Sequence, residues 1–264
     1  MTKYWLYARL QLQNYLIYRV NFIFWRFQVI ISFITSYYLW QAVAQQRGSI
    51  GVYSLNQIYV YFIVGYLLRT LIFSTRTADI GGEIQSGSLS GRLLRPMGVI
   101  KSALGLDIVD KIFNLGFMTL EFGLIIYFLR PDIVLPSPAN LLIFCFLTLI
   151  AILSFFFYSL VISFFSFWLD QAWSSRFLLG VVFVNLFSGQ FIPLDFLPYP
   201  IVGLLKFTPY PYFFYYPLRF WLELEPPSRL LEIVIPSFAF LGLNYFLATR
   251  LWRRGLRQYQ SYGH

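Results

Sequence analysis

Two sets of side chains in this 264-residue sequence have types and spacings that could do chemistry. The first is Arg26, Arg69 and Glu121, each set inside an apolar run. A charge at the centre of a bilayer costs on the order of 2.5 to 3.5 kcal/mol on insertion scales, so each needs a partner, a reach to the interface or a polar path to face. Arg26 and Arg69 lie near predicted span ends, where a long side chain can snorkel. Glu121 is deeper; it could pair with one of the arginines and fix helix register, or face a substrate path. The second set lies in the glycine-rich stretch 79–96. There Asp79 and Glu83 share one helical face, Ile80 and Ile84 share its neighbour, and Gly87 offers a helix stop, with Leu89, Arg92, Leu94 and Arg95 following. The pattern describes a short amphipathic helix at a membrane surface, with a solvated loop as the alternative.

Other chemistries are excluded by residue supply. Cys145 is the sole cysteine and His264, the last residue, the sole histidine. The lysines at 3, 101, 111 and 206 follow Thr2, Ile100, Asp110 and Leu205, so none completes a Gly-Lys phosphate-binding loop. Paired aspartates and a His-Glu zinc motif are missing as well. The chain is expected to bind no metal or cofactor and to be no enzyme.

The elements that must position these residues are set by composition. Apolar residues make up 58%, charged residues 12%, and mean hydropathy is +0.65, which marks an all-α polytopic membrane protein forming one membrane domain over 1–264. Six transmembrane helices are expected, at about 21–44, 57–75, 108–129, 141–168, 177–189 and 230–251. An interfacial helix precedes them over 1–19, with a basic tail as the alternative. The loop 76–107 holds the short helix between spans 2 and 3. The fifth block is short, and the prolines of 190–228 break that segment into re-entrant or external short helices. Ser159, Ser163 and Ser166 place small hydroxyls on one face of the fourth span, a packing seam for another helix or a second subunit. Aromatic residues, 22% of the chain, read as interfacial belts and lipid-facing bulk, or as a stacking pathway.

Charge orients the spans. With a cytoplasmic amino terminus, Lys3, Arg9, Arg19, Arg76, Arg92, Arg95, Lys101, Lys111, Arg176, Arg250, Arg253, Arg254 and Arg257 fall inside, while Arg47, Arg130, Lys206, Arg219 and Arg229 fall outside. The bias puts both termini and the 79–96 segment in the cytoplasm. The net charge of +9 is spent on topology, and nucleic-acid binding is not expected.

In its order of residues the 79–96 segment resembles the coupling segment of type-2 ABC exporter permeases. The likeness continues through Ser188-Gly189, Pro193 and Leu197-Pro198, similar to that family's Ser-Gly-x-x-x-Pro signature, and through Arg254-Gly255-Leu256 and Tyr259, similar to its tail. Gly81-Gly82 departs from the family, whose members more often carry helix formers there. The resemblance implies a plasma (inner) membrane half-transporter that pairs with a second permease subunit, identical or not, and with a dimer of cytoplasmic ATPases holding ATP and Mg. It further implies that 80–94, with Asp79, Glu83 and Arg92, contacts the ATPase, and that Gly189, Pro193 and Pro198 shape an external segment. A secondary transporter or channel without an ATPase is the alternative, although Glu121 alone is thin for an ion relay.

Overall fold

The computed structural model describes residues 19–47, 49–131, 133, 135–169, 173 and 176–259. The interfacial helix expected over 1–19 lies outside them except for Arg19, which opens α1 (Arg19–Arg47). A two-residue antiparallel hairpin, β1 (Ser49–Ile50) and β2 (Tyr53–Ser54), then turns the chain into α2 (Leu55–Ile72). Ser54 and Gln57 close a reciprocal capping box at its start, at 3.3 and 3.0 Å. Short helices α3 (Thr77–Gln85) and α4 (Leu89–Leu93) lead to the long α5 (Val99–Leu129) and α6 (Pro138–Phe164), the latter extended by a 3-10 turn, Phe165–Phe167. A π-helical turn, Arg176–Val182, runs into α7 (Phe183–Phe187). Three short helices follow, α8 (Tyr199–Leu205), α9 (Tyr210–Phe213) and α10 (Tyr215–Trp221), before α11 (Leu230–Gln258).

Among the described residues, four helices are long and apolar enough to cross a membrane: α2, α5, α6 with its extension, and α11 with the 3-10 turn before it. α1 has the length, but Arg26, Gln28 and a run of hydroxyls dilute its hydropathy, and the fifth block supplies only the shorter stretch Arg176–Phe187. Boundaries also move. The third span, expected from about residue 108, begins at Val99, so 99–107 of the expected loop are its first turns. α11 continues through the basic tail to Gln258 rather than stopping near 251. Without a proline or a positive-φ glycine to stop it, each amphipathic terminus simply prolongs its helix into water.

α2 is the central helix. Tyr61, Ile63, Val64 and Leu68 are fully buried, as expected of a helix apolar on every side. Val29 and Phe33 of α1, Ala151 and Phe155 of α6, and Phe213 and Phe214 at the end of α9 pack around it. The outer helices are the reverse. α5 exposes Ile108, Ile112, Leu120, Leu124 and Phe128 while burying Asp107, Asp110, Lys111 and Asn114, an arrangement stable only where the surroundings are hydrocarbon.

α11 packs along α6 more extensively than any other pair of elements, tied by Asn244 Nδ2 donating to Ser154 Oγ at 3.2 Å. At its far end Gly255 lets the helix approach Phe167: a Cβ there would stand 2.2 Å from the ring. Gly255→Ala should therefore cost about 1 to 3 kcal/mol by overpacking, more than the helix propensity alanine gains. Thermal unfolding of the detergent-purified protein checks this, with Gly255→Ala costing nothing further when added to Phe167→Ala.

Candidate functional site

The polar island folds as two helices joined at Gly87, whose φ of +73° ends α3 as a left-handed stop. α3 runs through Gly81-Gly82, and packing explains the departure at the first of them. A Cβ on Gly81 would lie 3.0 Å from Ser166 Oγ and 3.4 Å from the Ser163 carbonyl oxygen. Four residues earlier on the same face, the hydroxyls of Thr77 and Ser159 are hydrogen-bonded. The serine seam of α6 thus receives α3 of the same chain rather than a second subunit.

This contact turns the apolar stripe inward. Ile80, Ile84 and Leu89 are buried with Val99, Phe156, Leu160 and Phe164 in a cluster of their own. Arg92 is buried too; its Nη1 donates to both Glu83 carboxylate oxygens at 3.0 and 3.1 Å, and its Nη2 lies 3.5 Å from Ser102 Oγ. Ile80, Ile84, Leu89 and Arg92, expected to meet an ATPase, hold the segment to its own bundle in this chain. Asp79, Gly82, Gln85, Leu93, Leu94 and Arg95 face out, and Leu94 is 88% exposed. The turn is clamped from α11: Tyr259 OH donates to the Gly87 carbonyl at 2.6 Å and accepts from Ser90 N–H at 3.2 Å. Just before α3, Lys111 Nζ donates to the Ser74 carbonyl at 2.6 Å, pinning the end of α2 to α5.

Arg26 and Glu121 form a bidentate pair, with Arg26 Nε 2.7 Å from Oε1 and the second contact closing through Nη2 and Oε2. Tyr66 OH donates to the same carboxylate, and Arg26 Nη1 reaches Asn114 Oδ1 at 3.4 Å. Asn114 Nδ2 in turn donates to Asp110 at 2.9 Å. Asp107, Asp110, Lys111, Asn114 and Glu121 recur three, four and seven apart, a buried polar face that helical periodicity could have revealed in full. Arg69 is not part of this cluster.

At the opposite end of the bundle, Gly189 turns with a φ of +90° and its carbonyl accepts from Tyr61 OH at 2.6 Å. Pro193 is buried, while Pro198 is exposed and caps the start of α8. The centre of this end is Asp195, which the sequence did not single out. Tyr53 donates to it, as do Tyr215 OH at 2.8 Å and Arg219 Nη1 at 2.6 Å, and Arg219 also pairs with Glu225 at 2.7 Å. The hairpin, α10 and the turn before α11 are thereby one charged network. Beside it, Glu223 accepts from Ser137 N–H at 2.7 Å, a bond that holds its carboxyl below the usual range.

A family model described as ABC-2 family transporter protein matches residues 30–263. The chain belongs to the ABC-2 transporter family. No curated protein and no solved structure matches it at significance. ABC-2 permeases are the multi-pass membrane components of transporters, are not themselves catalytic, and work with an ABC ATPase.

The intramembrane pair yields a stability test. Glu121→Gln leaves Arg26 buried without its counter-charge and should cost about 3 kcal/mol, whereas Arg26→Met/Glu121→Met removes both charges and should recover most of it. Melting of the purified proteins measures both; a single variant as stable as the parent would contradict the pairing role.

Proposed function

We propose that this chain is the membrane half of an ATP-driven exporter in the plasma (inner) membrane, with six crossings and both termini cytoplasmic. It works as a homo- or heterodimer of permease subunits bound to two ATPases that carry the ATP and Mg. The observation that carries the reading is the two-sided character of α3 and α4. One side is built into α6 and α11 through Gly81, Ile80, Ile84 and Tyr259; the other leaves Asp79, Gly82, Leu94 and Arg95 exposed. A segment rigidly joined to two long helices and bare on its far side suits the receipt of force from a partner, with Leu94 as apolar anchor and charges around it.

Length supports the first of the two weaker crossings. α1 would extend about 44 Å at 1.5 Å per residue, and its charge is neutralised by Glu121. The fifth crossing would use Arg176–Phe187, with the segment 190–228 forming an external cap around Asp195. The inside bias of basic residues supports the orientation.

Substitutions on the bare face test the coupling. Leu94→Asp and Asp79→Lys should leave membrane abundance and melting unchanged but reduce permease-stimulated ATP hydrolysis about tenfold or more in liposomes, the scale of a lost interface anchor. Ile84→Asp, by contrast, should unfold the inner cluster. Undiminished stimulation in both surface variants would contradict the assignment.

A further inference from the structure

A cavity of about 350 Å³ lies between α1, α2, α7 and the segment after α7. Its lining includes the polar Ser36, Arg69, Asn185 and Gln190 and the apolar Phe62, Phe191 and Phe214. Arg69 distinguishes it. Within the helices the cations Arg26 and Lys111 each have a carboxylate, Glu121 and Asp107 respectively. The side chain of Arg69, partly buried near the end of α2, makes no hydrogen bond or ion pair among the described residues. An unneutralised guanidinium at membrane depth is costly, and it is kept where something outside the chain supplies the negative charge.

We propose that this cavity binds the anionic head of an amphiphile, a phosphate or carboxylate carrying an apolar chain. Arg69 presents a planar fork of donors matched to such an oxyanion, and Asn185, Gln190 and Ser36, which line the same cavity, supply amides and a hydroxyl for its remaining oxygens. The phenylalanines of the lining suit the attached chain. Phe191 and Ile31, 54% and 60% exposed, form a lip through which that chain leaves toward the lipid. The volume is that of a head with the first part of its chain, at the lower end of small-molecule sites. The site needs neither nucleotide nor partner, so it stands apart from the coupling assignment; its use as an entry point for cargo rests on the export reading, its existence does not.

Thermal melting of the full chain in neutral detergent tests it, with phosphatidylglycerol, dodecyl phosphate, phosphatidylcholine and inorganic phosphate as probes, because a ligand of the folded state raises the melting temperature by mass action. Wild type should be stabilised by phosphatidylglycerol or dodecyl phosphate and not by phosphatidylcholine or inorganic phosphate. A shift with phosphatidylglycerol identifies the bilayer as the source, and a shift with dodecyl phosphate alone identifies a free amphiphile. Arg69→Gln should melt as wild type does without probe yet lose the shift, and Arg69→Lys should keep part of it. An equal shift in Arg69→Gln, an equal shift from inorganic phosphate, no shift from either amphiphile, or an Arg69→Gln protein that is itself destabilised would overturn the proposal.

Discussion

The inner half of this molecule depends on how closely α3 can lie against α6. Helices approach to backbone contact only where side chains are small, and here Gly81 meets Ser163 and Ser166 while Thr77 meets Ser159. A larger residue at Gly81 would lift α3 away, uncover Ile80 and Ile84, and separate Gly87 from Tyr259. Gly81, which looks unfavourable for a helix, is thus a condition of seating it, while Gly82 faces open space. What the helix loses in propensity, about 1 kcal/mol for each glycine, is offset by burial of the isoleucines.

A second constraint is the inversion of α5. Hydrocarbon gives no reward for hiding leucines, so its apolar residues face outward and its polar face turns in, where each charge meets another side chain. Lys111 finds Asp107 and the Ser74 carbonyl; Glu121 finds Arg26 and Tyr66. These contacts connect α5 to both α1 and α2. The network around Asp195 does the same at the other end, joining the hairpin to α10 and the approach to α11. The chain is therefore held by polar contacts at both ends and at mid-depth, with aromatic packing filling the spaces between.

Much of this was legible in the residues. Hydropathy marked the long helices, the prolines marked the broken segment of 190–228, and the spacing of Ile80, Ile84 and Gly87 marked a short helix with its stop. The direction of that helix was not legible, because an apolar stripe says which side avoids water and not whether lipid, a partner or the same chain covers it. The serine seam and the glycine pair were each visible alone, and only the fold brings them together across some 80 residues of sequence separation. Asp195 and Tyr259 carried no periodic signal: one sits among prolines, the other at a helix end, and both act through contacts distant in sequence. The polar face of α5, in contrast, was written at helical spacing and could have been read.

The central claim is that α3 moves with α6 as one body when the inner face is pushed. The most direct measurement is a disulfide between Thr77→Cys and Ser159→Cys, positions whose hydroxyls already touch, in a chain whose Cys145 is replaced by alanine and which is reconstituted with its ATPase. If the two helices travel together, oxidation should leave nucleotide-driven transport at the level of the reduced protein. Loss of transport on oxidation, with recovery on reduction, would show that α3 must slide on α6 and would contradict the account.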